Sequence, residues 1–133
     1  MTIMTDIKSY TSPHALQFLI GGQWVKPCGS ETLDVINPAT EQPCARIAMG
    51  NAQDVDAAVR AAHAAFPGFS RTSREDRLAL LEHILAGFRR REKELADVLS
   101  TEMGAPESLS LSGQTASGAA HLEKMIEVLR SFE

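Results

Sequence analysis

Gln17-Phe18-Leu19-Ile20-Gly21-Gly22-Gln23-Trp24-Val25-Lys26 is the stretch on which the reading of the fold turns. Two short runs rich in aromatic and branched residues flank a glycine pair. A two-residue primed turn needs positive φ at its central residues, and glycine takes that conformation without steric cost. The pattern therefore predicts an antiparallel hairpin. Pro27, Gly29 and Ser30 close its second strand. Further along, residues 31–36 read as another strand, ended by Asn37-Pro38-Ala39-Thr40, because a residue before proline is pushed away from helix. Residues 43–48 can pair as one more. Residues 17–48 thus predict a small antiparallel layer of three or four strands. In the other direction, residues 1–16 are polar, contain Pro13 and show no period, so they read as a flexible leader.

Beyond Gly50 the period changes from two to between three and four. Asn51 is a helix N-cap, with Asp54 favourably placed in the first turn. Val55, Ala58, Val59, Ala62 and Phe66 recur on one face of a helix over residues 52–66, which Pro67-Gly68 should stop. Ser73 caps a second helix, 74–91, whose apolar stripe is Leu78, Leu81, Ile84, Leu85 and Phe88. A third, 92–103, carries Leu95, Val98 and Leu99 and ends at Gly104. Pro106 opens a last long helix, 107–132, with Leu122, Met125, Ile126, Leu129 and Phe132 on its apolar face. The content is predominantly helical. The chain stops at Glu133 on that helix with no closing turn, which gives the layout an incomplete look.

Composition narrows the function classes. A length of 133 residues, 44% hydrophobic and 23% charged, suits one ordinary globular domain. A net charge of -4 argues against nucleic acid as a partner. The one basic cluster, Arg89, Arg90 and Arg91, is followed by Glu92, Glu94 and Asp97 and reads as a solvated helix end. No window has the apolar length of a membrane span, and the N-terminus lacks a signal-peptide core, so a cytoplasmic location is expected. Cys28 and Cys44 sit in no metal or redox motif and have no neighbouring histidine in sequence, so both read as inert thiols. His14, His63, His83 and His121 are scattered, and Glu92, Glu94, Asp97 and Glu102 follow surface spacing. No catalytic residue and no cofactor-binding residue is assigned within the chain.

Several ordered phrases resemble the aldehyde dehydrogenase superfamily. They are the Phe18–Val25 hairpin, Val35-Ile36-Asn37-Pro38-Ala39-Thr40-Glu41 (with Gln42 where the family's turn usually has glycine), and Asp54-Val55-Asp56-Ala57-Ala58-Val59 with the alanine-rich run to Phe66. Arg77-Leu78-Ala79-Leu80-Leu81 and Glu102-Met103-Gly104-Ala105-Pro106 complete the set. The resemblance implies an α/β fold with a Rossmann-type cofactor domain, of which residues 17–133 would be the N-terminal part. It also implies NAD or NADP as cofactor in a full-length parent that is a homo-oligomer, with the remainder of that chain as partner. In the family, a cysteine thiolate attacks the aldehyde, hydride passes to the nicotinamide, and a glutamate-activated water releases the acid. The Gly-Gln-Cys, Glu-Leu-Gly-Gly and Pro-Trp-Asn contexts of that chemistry do not occur in these 133 residues, nor does the Gly-rich cofactor turn. The expectation is the N-terminal segment of an NAD(P)-dependent aldehyde dehydrogenase, inactive by itself. The alternative is a non-catalytic helical interaction or scaffold module derived from that family.

Two further roles follow from the resemblance. Some family members hold a monovalent cation between a backbone carbonyl beside the Asn-Pro turn and an acidic side chain, which here match Ile36 and Glu102. The bland alternative is that Glu102 is an exposed carboxylate at a helix end. On the last helix Gln114, Ser117, His121 and Lys124 form a polar stripe opposite the apolar one. It either borders a substrate tunnel, as that helix does in the family, or is a solvated face. Gly113 and Gly118 cost about 1 kcal/mol each in helix propensity, which points to close packing against something.

Overall fold

The structure, a computed structural model, describes residues 12–132. Of the leader 1–16, residues 1–11 lie outside the described residues. The rest is not loose: backbone bonds join Ala15 N–H to Ser12 and Gln17 N–H to His14, and Ala48 N–H donates to the Ala15 carbonyl. The His14 ring stacks on Trp24 with centroids 4.0 Å apart, which ties this turn to the strand that follows.

β1 (Phe18–Ile20) and β2 (Gln23–Val25) pair antiparallel, with Ile20 opposite Gln23. Gly21 and Gly22 take φ values of 59° and 78°, the left-handed conformation a two-residue hairpin loop requires. β3 (Thr32–Asn37) and β4 (Gln42–Ala48) form a second antiparallel pair, with a register shift between Val35 and Ile36. The single layer of three or four strands expected from residues 17–48 is thus two separate two-stranded sheets. Strand periodicity reports which face a residue takes and is silent on which strand it pairs with. At the connecting turn, Asn37 accepts from Glu41 N–H through its carbonyl and from Ala39 N–H through its side chain. Glu41 there has φ 58°. The glycine-favouring position of the turn is therefore Glu41 and not Gln42.

α1 (Ala52–Phe69) begins with Asn51, whose Oδ1 accepts from the N–H groups of Gln53 and Asp54. It runs through Pro67 rather than stopping before it. Proline removes one helical hydrogen bond and clashes with the preceding turn, so it ends the helix within two residues rather than at once, and the chain turns away through bonds from Arg71 N–H to the Gly68 carbonyl and from Thr72 N–H to the Phe69 carbonyl. The buried side of α1 also differs from expectation. Asp54, Ala57 and Ala61 face inward, and Ala61 meets the hairpin at Gly21, while Val55, Val59 and Phe66 are exposed.

The chain divides into two compact units, residues 1–67 and 68–133. In the second, α2 (Arg74–Arg90) opens with a capping box in which Ser73 Oγ accepts from Asp76 N–H and Asp76 accepts from Ser73 N–H. α3 (Glu92–Met103) ends on Gly104, in the left-handed conformation at φ 75°. The region read as one long helix, 107–132, is three consecutive pieces: α4 (Glu107–Leu109), a π-helical segment Ser110–Thr115, and α5 (Ala116–Ser131). α2 and α5 pack antiparallel, since Arg89 bonds Glu123, Glu82 bonds Arg130 and Arg74 reaches the Phe132 carbonyl. The core here is small: Ala96, Ala119 and Ile126 are buried, with Leu78, Leu81, Leu85, Phe88, Leu95 and Leu122 half-buried around them. Met125 and Phe132, assigned to the apolar face of the last helix, are exposed, as is Ile84 of α2.

Candidate functional site

The polar groups most deeply enclosed by the second unit surround the π-helical segment. A π turn widens the backbone by one residue, and its cost has to be met by local bonds. Here Thr115 meets it: the hydroxyl, itself buried, lies 2.9 Å from the Ser110 carbonyl and 2.7 Å from that of Leu111, within reach of both as donor. Ser110 is wholly enclosed, and its Oγ accepts from Ser100 of α3 at 2.9 Å. One turn away, Gln114 has Nε2 3.8 Å from the Met103 sulfur and a buried Oε1 with no protein partner among the described residues.

The polar stripe divides at this segment. Gln114 lies within the π turn and is half-buried, whereas Ser117, His121 and Lys124 on α5 are exposed. Lys124 is occupied by Glu127, with Nζ 2.8 and 2.9 Å from its two carboxylate oxygens. The glycines thought to mark close packing do so against the chain's own side chains. A Cβ at Gly118 would stand 2.9 Å from Phe88, and one at Gly113 would stand 2.8 Å from Leu109. Their presence therefore carries no information about a tunnel.

In the first unit the enclosed polar group is Asp54. Its Oδ1 accepts from Cys28 N–H at 2.9 Å and its Oδ2 from Asn51 N–H at 3.0 Å, although it is almost fully buried. Those bonds, first that from Asn51 and then that from Cys28, hold its carboxyl below the usual carboxylate range. The hydrogen bond between the Cys28 thiol and the same carboxylate raises the thiol above its ordinary value, with burial and the carboxylate charge adding to it. That is the opposite of what a nucleophilic cysteine needs. Cys44 directs its sulfur to the Val35 carbonyl at 3.3 Å. The Asn51–Asp54 half of this arrangement is legible in sequence as a cap and its third residue. The bond to Cys28, 26 residues earlier, is not.

The two residues matched to a cation site fall in different units, Ile36 on β3 and Glu102 on α3, where Glu102 is exposed. Beside Ile36 the ladder is irregular, and its partner Pro43 brings no N–H to it. Among the described residues no group of three or more His, Cys, Asp and Glu side chains is placed to hold a metal. Among the described residues, the one adjacent glycine pair does not fit a dinucleotide's pyrophosphate either. The Gly21-Gly22 pair closes a hairpin, whereas a pyrophosphate-binding glycine turn joins a strand to a helix N-terminus. Among the described residues no helix is long and apolar enough to cross a membrane.

Sequence and fold comparisons give this scaffold its lineage. The family model described as the aldehyde dehydrogenase family matches residues 24–133. The chain belongs to the aldehyde dehydrogenase family. It is 43% identical over 118 residues to a 3-succinoylsemialdehyde-pyridine dehydrogenase of a Pseudomonas species, covering 88% of this chain and 25% of the relative. Among solved structures, it is similar to a cysteine-to-alanine mutant of aldehyde dehydrogenase C of Pseudomonas syringae, crystallised with NAD+ and octanal. That likeness has a TM-score of 0.91 at 38% identity over 96% of this chain and 26% of the other. An aldehyde dehydrogenase of Bartonella henselae gives a TM-score of 0.86 at 38% identity, covering 88% and 25%. The chain thus spans about a quarter of the length of the relatives it matches, and the match is to their N-terminal part. In this aldehyde dehydrogenase segment the enclosed polar groups serve local structure: Asp54 joins the Cys28 and Asn51 N–H groups, and Ser110 joins α3 through Ser100.

Proposed function

We propose that these residues serve as the N-terminal part of the cofactor-binding domain of an NAD(P)-dependent aldehyde dehydrogenase, the whole of which oxidises an aldehyde to a carboxylic acid. The observation that carries the proposal is the close likeness over nearly the whole chain to a quarter of such enzymes. In this reading the nucleophile, the base and the cofactor turn are supplied by the rest of the family chain, and the residues here position that domain's outer elements. A cytoplasmic location, a homo-oligomeric whole enzyme and NAD or NADP as the dinucleotide belong to the same proposal; the Pseudomonas syringae relative was crystallised with NAD+. The exposed side chains of Ser117 and His121 are the part of the polar stripe available to a passing aldehyde.

The test is a graft. Residues 12–133 replace the matching segment of the wild-type Pseudomonas syringae enzyme, and NAD-dependent octanal oxidation is followed at 340 nm. The chimera is expected to oxidise octanal and the isolated 133-residue chain to show no turnover. A folded but inactive chimera, or turnover by the isolated chain, would sink the proposal.

A further inference from the structure

The methionines of the described residues differ in what their sulfurs meet. Met49 and Met125 are 40% and 59% exposed, and neither sulfur has a hydrogen-bond partner among those residues. Met103, 52% exposed, is the last residue of α3, immediately before the left-handed Gly104. Its sulfur lies 3.8 Å from Gln114 Nε2, across the link between α3 and the π-helical segment. A thioether is a weak acceptor, so the contact contributes little as it stands. Gln114 is half-buried, which leaves its amide less free to turn away from the sulfur than a surface amide would be.

We propose that Met103 is a site of reversible oxidation by peroxide and that the Gln114 amide is the group that responds to it. The sulfur lone pair attacks one oxygen of hydrogen peroxide. A sulfur–oxygen bond forms as the O–O bond breaks, the hydrogen on the transferred oxygen passes to the departing hydroxide, and water leaves. Sulfur is oxidised by two electrons and the peroxide is reduced. The new oxygen is a far stronger acceptor than the thioether, and it sits on the sulfur that the Gln114 amide already faces. Methionine oxidation ordinarily disrupts packing, because it puts a polar group into an apolar contact. At Met103 the half-exposed setting removes most of that cost, and Gln114 supplies the partner. The resulting bond closes the last residue of α3 onto the π turn, which the Ser100–Ser110 bond already joins to the same helix. Oxidation at this methionine therefore tightens the junction.

In the test, the 133-residue chain is treated with hydrogen peroxide and its sulfoxides are mapped by peptide mass spectrometry. Backbone hydrogen exchange is then followed in peptides covering residues 100–116. In molecules carrying sulfoxide at Met103, exchange there is expected to slow several-fold, and methionine sulfoxide reductase should restore the original rate. Met103→Leu treated in the same way should show no slowing, although Met49 and Met125 are oxidised. Gln114→Leu should still take up oxygen at Met103 and lose the slowing. Unchanged or faster exchange on oxidation of Met103, or slowing that persists in either variant, would overturn the proposal. So would a Met103 left intact at peroxide doses that convert Met125. If a variant does not fold, the comparison is made within partly oxidised wild-type chain, separated by chromatography. Molecules oxidised at Met103 then exchange more slowly than those oxidised only at Met49 or Met125; a single rate for both contradicts the proposal.

Discussion

Glu41 holds φ at 58° on the turn between β3 and β4, a conformation that brings an L side chain's Cβ too close to the following carbonyl. Removing the side chain relieves that strain, offset in part by the greater freedom of glycine in the unfolded chain. Glu41→Gly is therefore expected to stabilise the chain by about 0.5–1 kcal/mol in urea unfolding. Gly118 presents the reverse case. A methyl group there would gain helix propensity but would stand 2.9 Å from the Phe88 ring, which is held between α2 and α5 and has little room to yield. Gly118→Ala should cost about 1–3 kcal/mol. Gly87→Ala, whose nearest neighbour would be the flexible end of Arg90 at 3.7 Å, should instead gain up to about 1 kcal/mol. The same measurement on both variants separates packing from propensity.

Asp54 adds a pH dependence at this scale. Its carboxyl lies below the ordinary range in the folded chain, so the unfolded state binds a proton first as pH falls. Its stabilisation is complete above the ordinary carboxylate range and is lost as pH drops through the folded value. Asp34, lowered by Arg46, and Asp76, lowered by the Ser73 hydroxyl and N–H, act in the same direction. Acid unfolding followed by the fluorescence of Trp24, the chain's one tryptophan, should begin below about pH 4. Asp54→Asn should lower stability at neutral pH and flatten that acid limb. An unchanged limb would mean that Asp54 contributes nothing through its charge.

Among the elements, what the sequence makes legible is local chemistry. Gly21-Gly22 encodes the hairpin, Ser73 with Asp76 encodes the start of α2, and Gly104 encodes the end of α3, because each acts on its own few residues. The pairing of β3 with β4 in a sheet separate from β1 and β2 depends on contacts that periodicity does not record. The π-helical segment escaped for a related reason: Ser110–Thr115 has no proline or cap to announce it, and the Thr115 hydroxyl that sustains it is an ordinary helix residue in sequence. The Ser100–Ser110 bond locks this segment to α3. Ser100→Ala and Ser110→Ala should each cost about 1 kcal/mol, and the double variant clearly less than their sum. Strict additivity in thermal unfolding would show that the two hydroxyls do not act together. The inward face of α1 was misplaced in sequence because Val55, Val59 and Phe66 carry the larger apolar signal, while its own unit is packed through small alanines and a bonded carboxylate.

At the scale of the whole molecule that misplacement has a single cause. Val55, Val59 and Phe66 carry most of the apolar signal of α1 and yet stand exposed, because periodicity locates an apolar face and not what the unit packs against it. The family phrases from Phe18 to Pro106 were legible because turns and caps fix residue types at fixed spacing. The candidate cation residues and the tunnel role of the polar stripe drew on the family resemblance, whereas the stripe itself was read from helical spacing; the glycines beside it answer to Phe88 and Leu109. The proposed role for these residues is scaffold, with the chemistry supplied by the rest of the family chain, and the graft into the wild-type Pseudomonas syringae enzyme decides it. The account predicts NAD-dependent octanal oxidation by the chimera and none by the 133-residue chain. A soluble, folded chimera that fails to reduce NAD+, or an isolated chain that reduces it in the presence of octanal, would contradict the account.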